Sequence, residues 1–130
     1  MTLEFKYQND PDTYLEIVFS GQVTDHDLQT AWNDFLQSGE WIPGVNILND
    51  VSRADLTHLT TEGIEAHVAD IESYIQMFGE DMKAGNIAVY APSPLQFGIS
   101  MIFTGYGVTT AETIKVFKDR QEAISWLFEK

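Results

Sequence analysis

From Leu3 to Tyr7 the side chains alternate, with Leu3, Phe5 and Tyr7 set against Glu4 and Lys6, which predicts a strand with one buried face. The polar cluster Gln8-Asn9-Asp10-Pro11-Asp12 is a turn. Thr13–Phe19, rich in β-branched and aromatic residues, predicts a second strand paired to the first as a hairpin, closed by Ser20-Gly21. Three further apolar runs, Val45–Asp50, Asn86–Tyr90 and Thr113–Phe117, predict three more strands. Val51–Leu59, between the third strand and the next helix, reads as a loop or a short irregular helix.

The segments between these runs switch to helical spacing. Thr24 and Asp27 have the spacing of a capping box, and Leu28, Ala31, Trp32, Phe35 and Leu36 fall on one face behind it. Thr60 is placed to cap a longer helix in which Ile64, Val68, Ile71, Ile75 and Phe78 recur at four and three residues, up to the stop at Gly79. Ser93, Pro94 and Gln96 suit the N-cap, first turn and return bond of a third helix. Leu95, Ile99, Ile102, Phe103 and Tyr106 are expected on its inner face, and Gly105 and Gly107 loosen its end. Asp119 and Glu122 open the last helix, with Ala123, Ile124, Leu127 and Phe128 facing inward.

The resulting order is β-β-α-β-α-β-α-β-α. After the hairpin each strand is followed by a helix, and such crossovers are nearly always right-handed. The expected fold is therefore α/β: a mixed, mostly parallel five-stranded sheet with an N-terminal antiparallel hairpin and helices packed on it. A chain of 130 residues is the size of one domain, so 1–130 is read as a single unit.

Composition narrows the function classes. The formal charge is −13, from 20 acidic and 7 basic residues, a surface that repels phosphate backbones and anionic headgroups. Nucleic acid is thus an unfavourable partner; the excess reads first as a device for solubility and, as the sharper alternative, as attraction to a basic partner protein. The absence of cysteine removes disulfides and thiolate chemistry. The opening Met1-Thr2-Leu3-Glu4-Phe5-Lys6 lacks the charge and apolar pattern of a signal peptide. No apolar run approaches the roughly 20 residues of a membrane span. The expected location is the cytoplasm, without stable membrane insertion.

Three stretches, in order and at matching spacing, carry a family resemblance. They are Ile47-Leu48-Asn49-Asp50-Val51-Ser52, a strand ending in an Asp-x-Ser turn; Ile87-Ala88-Val89-Tyr90-Ala91-Pro92, a strand feeding a helix; and Ile114–Asp119 with Glu122-Ala123-Ile124-Ser125-Trp126-Leu127, a strand, a cap and a terminal helix. Across nearly its whole length the chain resembles the SpoIIAA-like family of the STAS superfamily. The resemblance implies a non-enzymatic regulatory or binding module. In STAS proteins that antagonise anti-sigma factors, a Ser or Thr opening the helix after the Asp-x-Ser turn is phosphorylated. That position falls near Thr60 and Thr61, where Leu59-Thr60-Thr61-Glu62-Gly63 departs from the usual stretch. Kinship in fold with CRAL-TRIO lipid-transfer domains implies an apolar ligand.

On the residues themselves, a phosphate on Thr60 would sit at a helix N-terminus, opposed by Glu62, while the plain alternative is that Thr60 is an N-cap. Asp50, Ser52 and Arg53 stand past the end of a predicted parallel strand, where open sheets bind ligands, and are equally ordinary turn formers. Phe97 and Met101 lie off the Leu95/Ile99/Ile102 stripe, leaving apolar surface for a ligand, a neighbouring helix or a second copy of the chain. His67 and Asp70 share a face but supply only two metal ligands, so neither a metal nor another cofactor is expected.

The leading expectation is a non-enzymatic STAS-like module for a small apolar ligand or a regulatory protein. Phe97, Met101, Tyr74 and Phe78 would supply apolar contact, with Asp50, Ser52 and Arg53 as the polar side. A homodimeric interaction protein without ligand, and a small enzyme using Asp50 and a His, are the alternatives.

Overall fold

The structure, a computed structural model, describes residues 2–106 and 110–129. β1 (Leu3–Asn9) and β2 (Thr13–Gln22) form the antiparallel hairpin. There follow α1 (Asp25–Gln37), β3 (Asn46–Asp55), α2 (Thr61–Phe78), β4 (Ala84–Tyr90), α3 (Pro94–Tyr106), β5 (Ala111–Phe117) and α4 (Arg120–Leu127), with one 3-10 turn at Glu80–Met82 before β4. The sheet has five strands in the order β1-β2-β3-β4-β5, parallel from β2 onward. The α/β class, the hairpin and the element order are those expected.

Sequential order across the sheet dictates where the helices go. Each crossover steps the same way, so right-handed connections put α1, α2 and α3 on one face. The main core joins Leu15, Ile17, Phe19, Ile47, Val51, Ile87 and Val89 to Leu28, Trp32 and Phe35 of α1, with Ile71 of α2 and Phe97 and Ile99 of α3 packed against it. α4 follows the last strand and closes the other face, where Ala123, Ile124 and Leu127 meet Tyr14, Leu48 and Ala88. The strand residues of the two cores alternate in sequence, as the pleat requires.

Helix starts follow the local capping chemistry. The Thr24 hydroxyl accepts from the Asp27 N–H while the Asp27 carboxylate accepts from the Thr24 N–H. Ser93 and Gln96 make the same reciprocal pair, and Asp119 accepts from the Glu122 N–H. Gly79 ends α2 with φ 95°, a conformation that favours glycine.

Three local expectations are corrected. Val51–Leu59 is not a loop or helix throughout: β3 runs through Asp55, and β2 runs past Ser20-Gly21 to Gln22 to pair with it. Between the pairs Val18↔Asp50 and Ser20↔Arg53 the register shifts, because β3 carries one extra residue there, a β-bulge. Asp50 stabilises it by accepting from both the backbone N–H and the hydroxyl of Ser52, at 3.0 and 2.6 Å. The Asp-x-Ser turn signal is therefore real, but it bends a strand instead of ending one.

The third correction concerns α3. Leu95, Ile102 and Tyr106 are exposed, and the inner face carries Ile99, Ser100 and Phe103. Apolar residues surround this helix, so periodicity alone does not choose its inner stripe. Gln96 does: its side-chain amide donates to the carbonyls of Val51, Ser52 and Ala54 at the bulge, which fixes the rotation of the helix. α3 ends at Tyr106, and Gly107 lies outside the described residues.

A candidate ligand cavity between the sheet and three helices

Above the centre of the sheet, α1, α2 and α3 enclose a cavity of about 80 Å³. A single water needs only about 10–15 Å³. β3 contributes Ile47, Asn49 and Val51 to its floor, β4 adds Ile87 and Val89, and α1 adds Leu28, Trp32 and Leu36. Ile64, His67, Ile71 and Tyr74 of α2 and Ile99, Ser100 and Phe103 of α3 form the roof.

Among the described residues the lining is apolar apart from Asn49, His67, Ser100 and Thr110 and the phenol of Tyr74, and it contains no Asp, Glu, Lys or Arg. His67 is held between the Trp32 ring, 5.8 Å away between centroids, and the Phe103 ring at 6.4 Å. Burial pushes its imidazole down to a pKa of about 4, so the ring is neutral at pH 7. Asn49 Oδ1 and His67 Nδ1 are buried with no hydrogen-bond partner among the described residues.

Of the residues singled out in the sequence, Tyr74 lines the cavity. Phe78 stacks on Tyr74 at 5.9 Å but is itself largely exposed. Phe97 packs against the main core with the Lys118 ammonium 5.0 Å from its ring centre, and Met101 is half exposed. Asp50 faces the α4 side, with its Oδ2 4.0 Å from Arg120 Nε, and Ser52 is bonded to it. Arg53 is exposed. The fold thus does not gather Asp50, Ser52, Arg53, Tyr74, Phe78, Phe97 and Met101 around one space.

Asn49 and His67 were missed as polar groups of the site. Each left a trace, a carboxamide inside the run Ile47–Asp50 and an imidazole one position before Val68 on the apolar stripe of α2. Asp70 is exposed while His67 is buried, so the two do not share a site. Among the described residues no group of three or more His, Asp or Glu side chains is placed to hold a metal.

Thr60 caps α2, its hydroxyl accepting from the Gly63 N–H at 2.9 Å. The same hydroxyl donates to Asp25 Oδ2 at 2.6 Å, and the Thr60 N–H donates to Asp25 Oδ1 at 2.9 Å. A phosphate on Thr60 would remove the hydrogen donated to Asp25 and face the Asp25 carboxylate, so the geometry favours the structural role. Thr61, the first residue of α2, is exposed. A Cβ added at Gly63 would overlap the Asp25 carboxylate. Gly63→Ala is therefore expected to destabilise the fold by about 1–3 kcal/mol, and by much less in an Asp25→Ala background, as denaturant titration of the three variants would show.

No family model matches the chain, and no curated protein does. Its structure is similar to the crystal structure of an uncharacterised protein from the DUF3478 family of Shewanella loihica PV-4, described as having a SpoIIAA-like fold. The TM-score is 0.59 at 20% sequence identity, over 96% of this chain and 93% of that one. The chain therefore has a SpoIIAA-like, STAS-like fold. Among the described residues no helix is long and apolar enough to cross a membrane.

Proposed function

We propose that this protein is a non-enzymatic, cytoplasmic binding module whose cavity takes a small apolar ligand. The observation that carries the reading is an apolar cavity into which a strand and a helix each bring a buried, unpartnered polar atom. Concave, largely apolar sites with a few placed polar groups are the usual form of small-molecule pockets. The STAS-like fold is compatible with such a role. An acid–base enzyme built on Asp50 and His67 is disfavoured, because Asp50 faces the α4 side of the sheet and His67 the helical side.

Native mass spectrometry of the purified protein, beside a solvent extract of the same sample, tests the reading. The expected result is an added mass that leaves on denaturation and is matched by an apolar compound in the extract. Ser100→Leu, which fills the cavity from α3, is expected to abolish the added mass while the protein stays folded. An added mass unchanged in that variant would place the ligand elsewhere.

A protein partner or second copy of the chain is a second reading, favoured by Leu95, Met101, Ile102 and Tyr106, which α3 leaves exposed. Light scattering of the parent beside Met101→Lys is expected to show a dimer lost in the variant. A monomeric parent leaves only a different protein for this face.

A further inference from the structure

Asn49 and His67 bear on what kind of apolar molecule the cavity takes. Their residues are only 7% and 4% exposed, and both line the space. Asn49 Oδ1 and His67 Nδ1 are left without hydrogen bonds among the described residues. An unpaired buried polar atom is costly, and native interiors hold few of them. A central strand and a helix that both bring one to the same cavity point to a third polar group that completes them.

The rest of the lining limits the charge of that group. Among the described residues no Asp, Glu, Lys or Arg lines the cavity, and its imidazole is neutral at pH 7. A carboxylate or phosphate would lose its water and meet no cation, and an ammonium would meet no carboxylate. The chain's charge of −13 further lowers the concentration of anions around it. A carboxamide offers one acceptor oxygen and two N–H donors, and a neutral imidazole offers one donor and one acceptor. A hydroxyl, which both donates and accepts, suits the two together.

We infer that the ligand is an uncharged amphiphile, an apolar body bearing a hydroxyl group that is seated against Asn49 and His67. Asn49 Oδ1 accepts the hydroxyl proton, and the hydroxyl oxygen is free to accept from the imidazole N–H. The inference rests on the cavity reading above and narrows it from apolar to neutral and hydroxylated.

Four probes on one ring skeleton test it: toluene, benzyl alcohol, benzoate and benzylamine, titrated at pH 7 and followed through the methyl resonances of Ile47, Ile87 and Val89. Benzyl alcohol is expected to bind at least about tenfold more tightly than benzoate or benzylamine. Asn49→Ala, which removes the carboxamide without filling the space, is expected to weaken benzyl alcohol about tenfold relative to toluene. His67→Leu repeats the test from the helix side, and retained toluene binding reports an intact cavity in either variant. If a charged probe binds as tightly as benzyl alcohol, or if both variants keep the parent affinity for it, the hydroxyl assignment is overturned while the cavity reading stands. If none of the probes, toluene included, perturbs those methyls, the cavity reading itself falls and takes the inference with it.

Discussion

Lowering the pH from 7 to 4 is expected to weaken the fold by about 3 kcal/mol through His67 alone, and His67→Leu is expected to remove that dependence. The imidazole titrates near 6.5 in an unfolded chain and at about 4 in the folded one, because burial disfavours its charged form. As pH falls below 6.5 the unfolded state takes up a proton that the folded state refuses. The contribution of the neutral ring is thus fully present above 6.5 and is lost as pH falls toward about 4.

The carboxyls with resolved shifts act in a separate window. The Thr24 N–H holds Asp27 below its usual 3.8, aided by the Thr24 hydroxyl, and the Thr57 hydroxyl and N–H hold Asp55 below the same value. Their contributions are present above 3.8 and fade only at lower pH. Urea titrations of the parent and His67→Leu at half-unit steps from pH 7 to pH 4 isolate the imidazole. The variant is also expected to gain about 1 kcal/mol at pH 7, since it removes a buried nitrogen that lacks a partner. Parallel curves for the two proteins would mean that His67 does not sit neutral in the interior. A gain in stability on deleting His67 would fit a residue kept for binding at a cost to the fold.

The features legible in the sequence are those decided within a few residues. The Thr24/Asp27 and Ser93/Gln96 boxes, the Thr60 cap and the stop at Gly79 each depend on bonds between near neighbours, and each formed as the spacing predicts. The order of elements, a hairpin followed by strand–helix crossovers, follows from the alternation of periods two and 3.6 along the chain. What escaped depends on partners far away in sequence. Asp50-Val51-Ser52 has the local chemistry of a turn, yet β3 continues because Ser20, Gly21 and Gln22 of β2 extend alongside Arg53, Ala54 and Asp55. The rotation of α3 is set by Gln96 reaching carbonyls more than 40 residues earlier in the chain.

The site was illegible for the same reason. Asp50 and Asn49 are neighbours on one strand, so the pleat sends them to opposite faces. Only the side covered by three helices holds a cavity lined by both β3 and α2, and that choice depends on the handedness of every crossover. Asp50, with its carboxylate, attracts attention in the sequence, yet it is bonded to Ser52 beside Arg120. Asn49 and His67 each leave only a weak trace, an uncharged polar group beside apolar residues, and nothing local pairs the two until their elements are brought together.

Arg120→Ala is expected to cost about 2 kcal/mol, although the residue is 42% exposed in its side chain. Its partner Glu16 is almost wholly buried on the α4 side of β2. Arg120 Nη2 donates to Glu16 Oε2 at 2.5 Å, Gln8 Nε2 donates to Oε1 at 3.1 Å, and Lys6 Nζ lies 3.8 Å from Oε1. The Glu16 hydrogen bond raises the guanidinium pKa above its usual value, so Arg120 stays charged at every working pH. Removing it strands the carboxylate between Gln8 and Lys6, and frees the first turn of α4 from β2. Breaking a buried pair by deleting one partner costs about 3–5 kcal/mol, and the remaining lysine and the half-exposed arginine reduce that here. Glu16→Leu together with Arg120→Ala is expected to recover to within about 1 kcal/mol of the parent, because no unpaired buried charge remains. A double-mutant cycle by chemical denaturation reads the coupling directly. If the double variant is as unstable as the sum of the two single ones, the loss belongs to packing of α4, and the ion pair contributes nothing of its own.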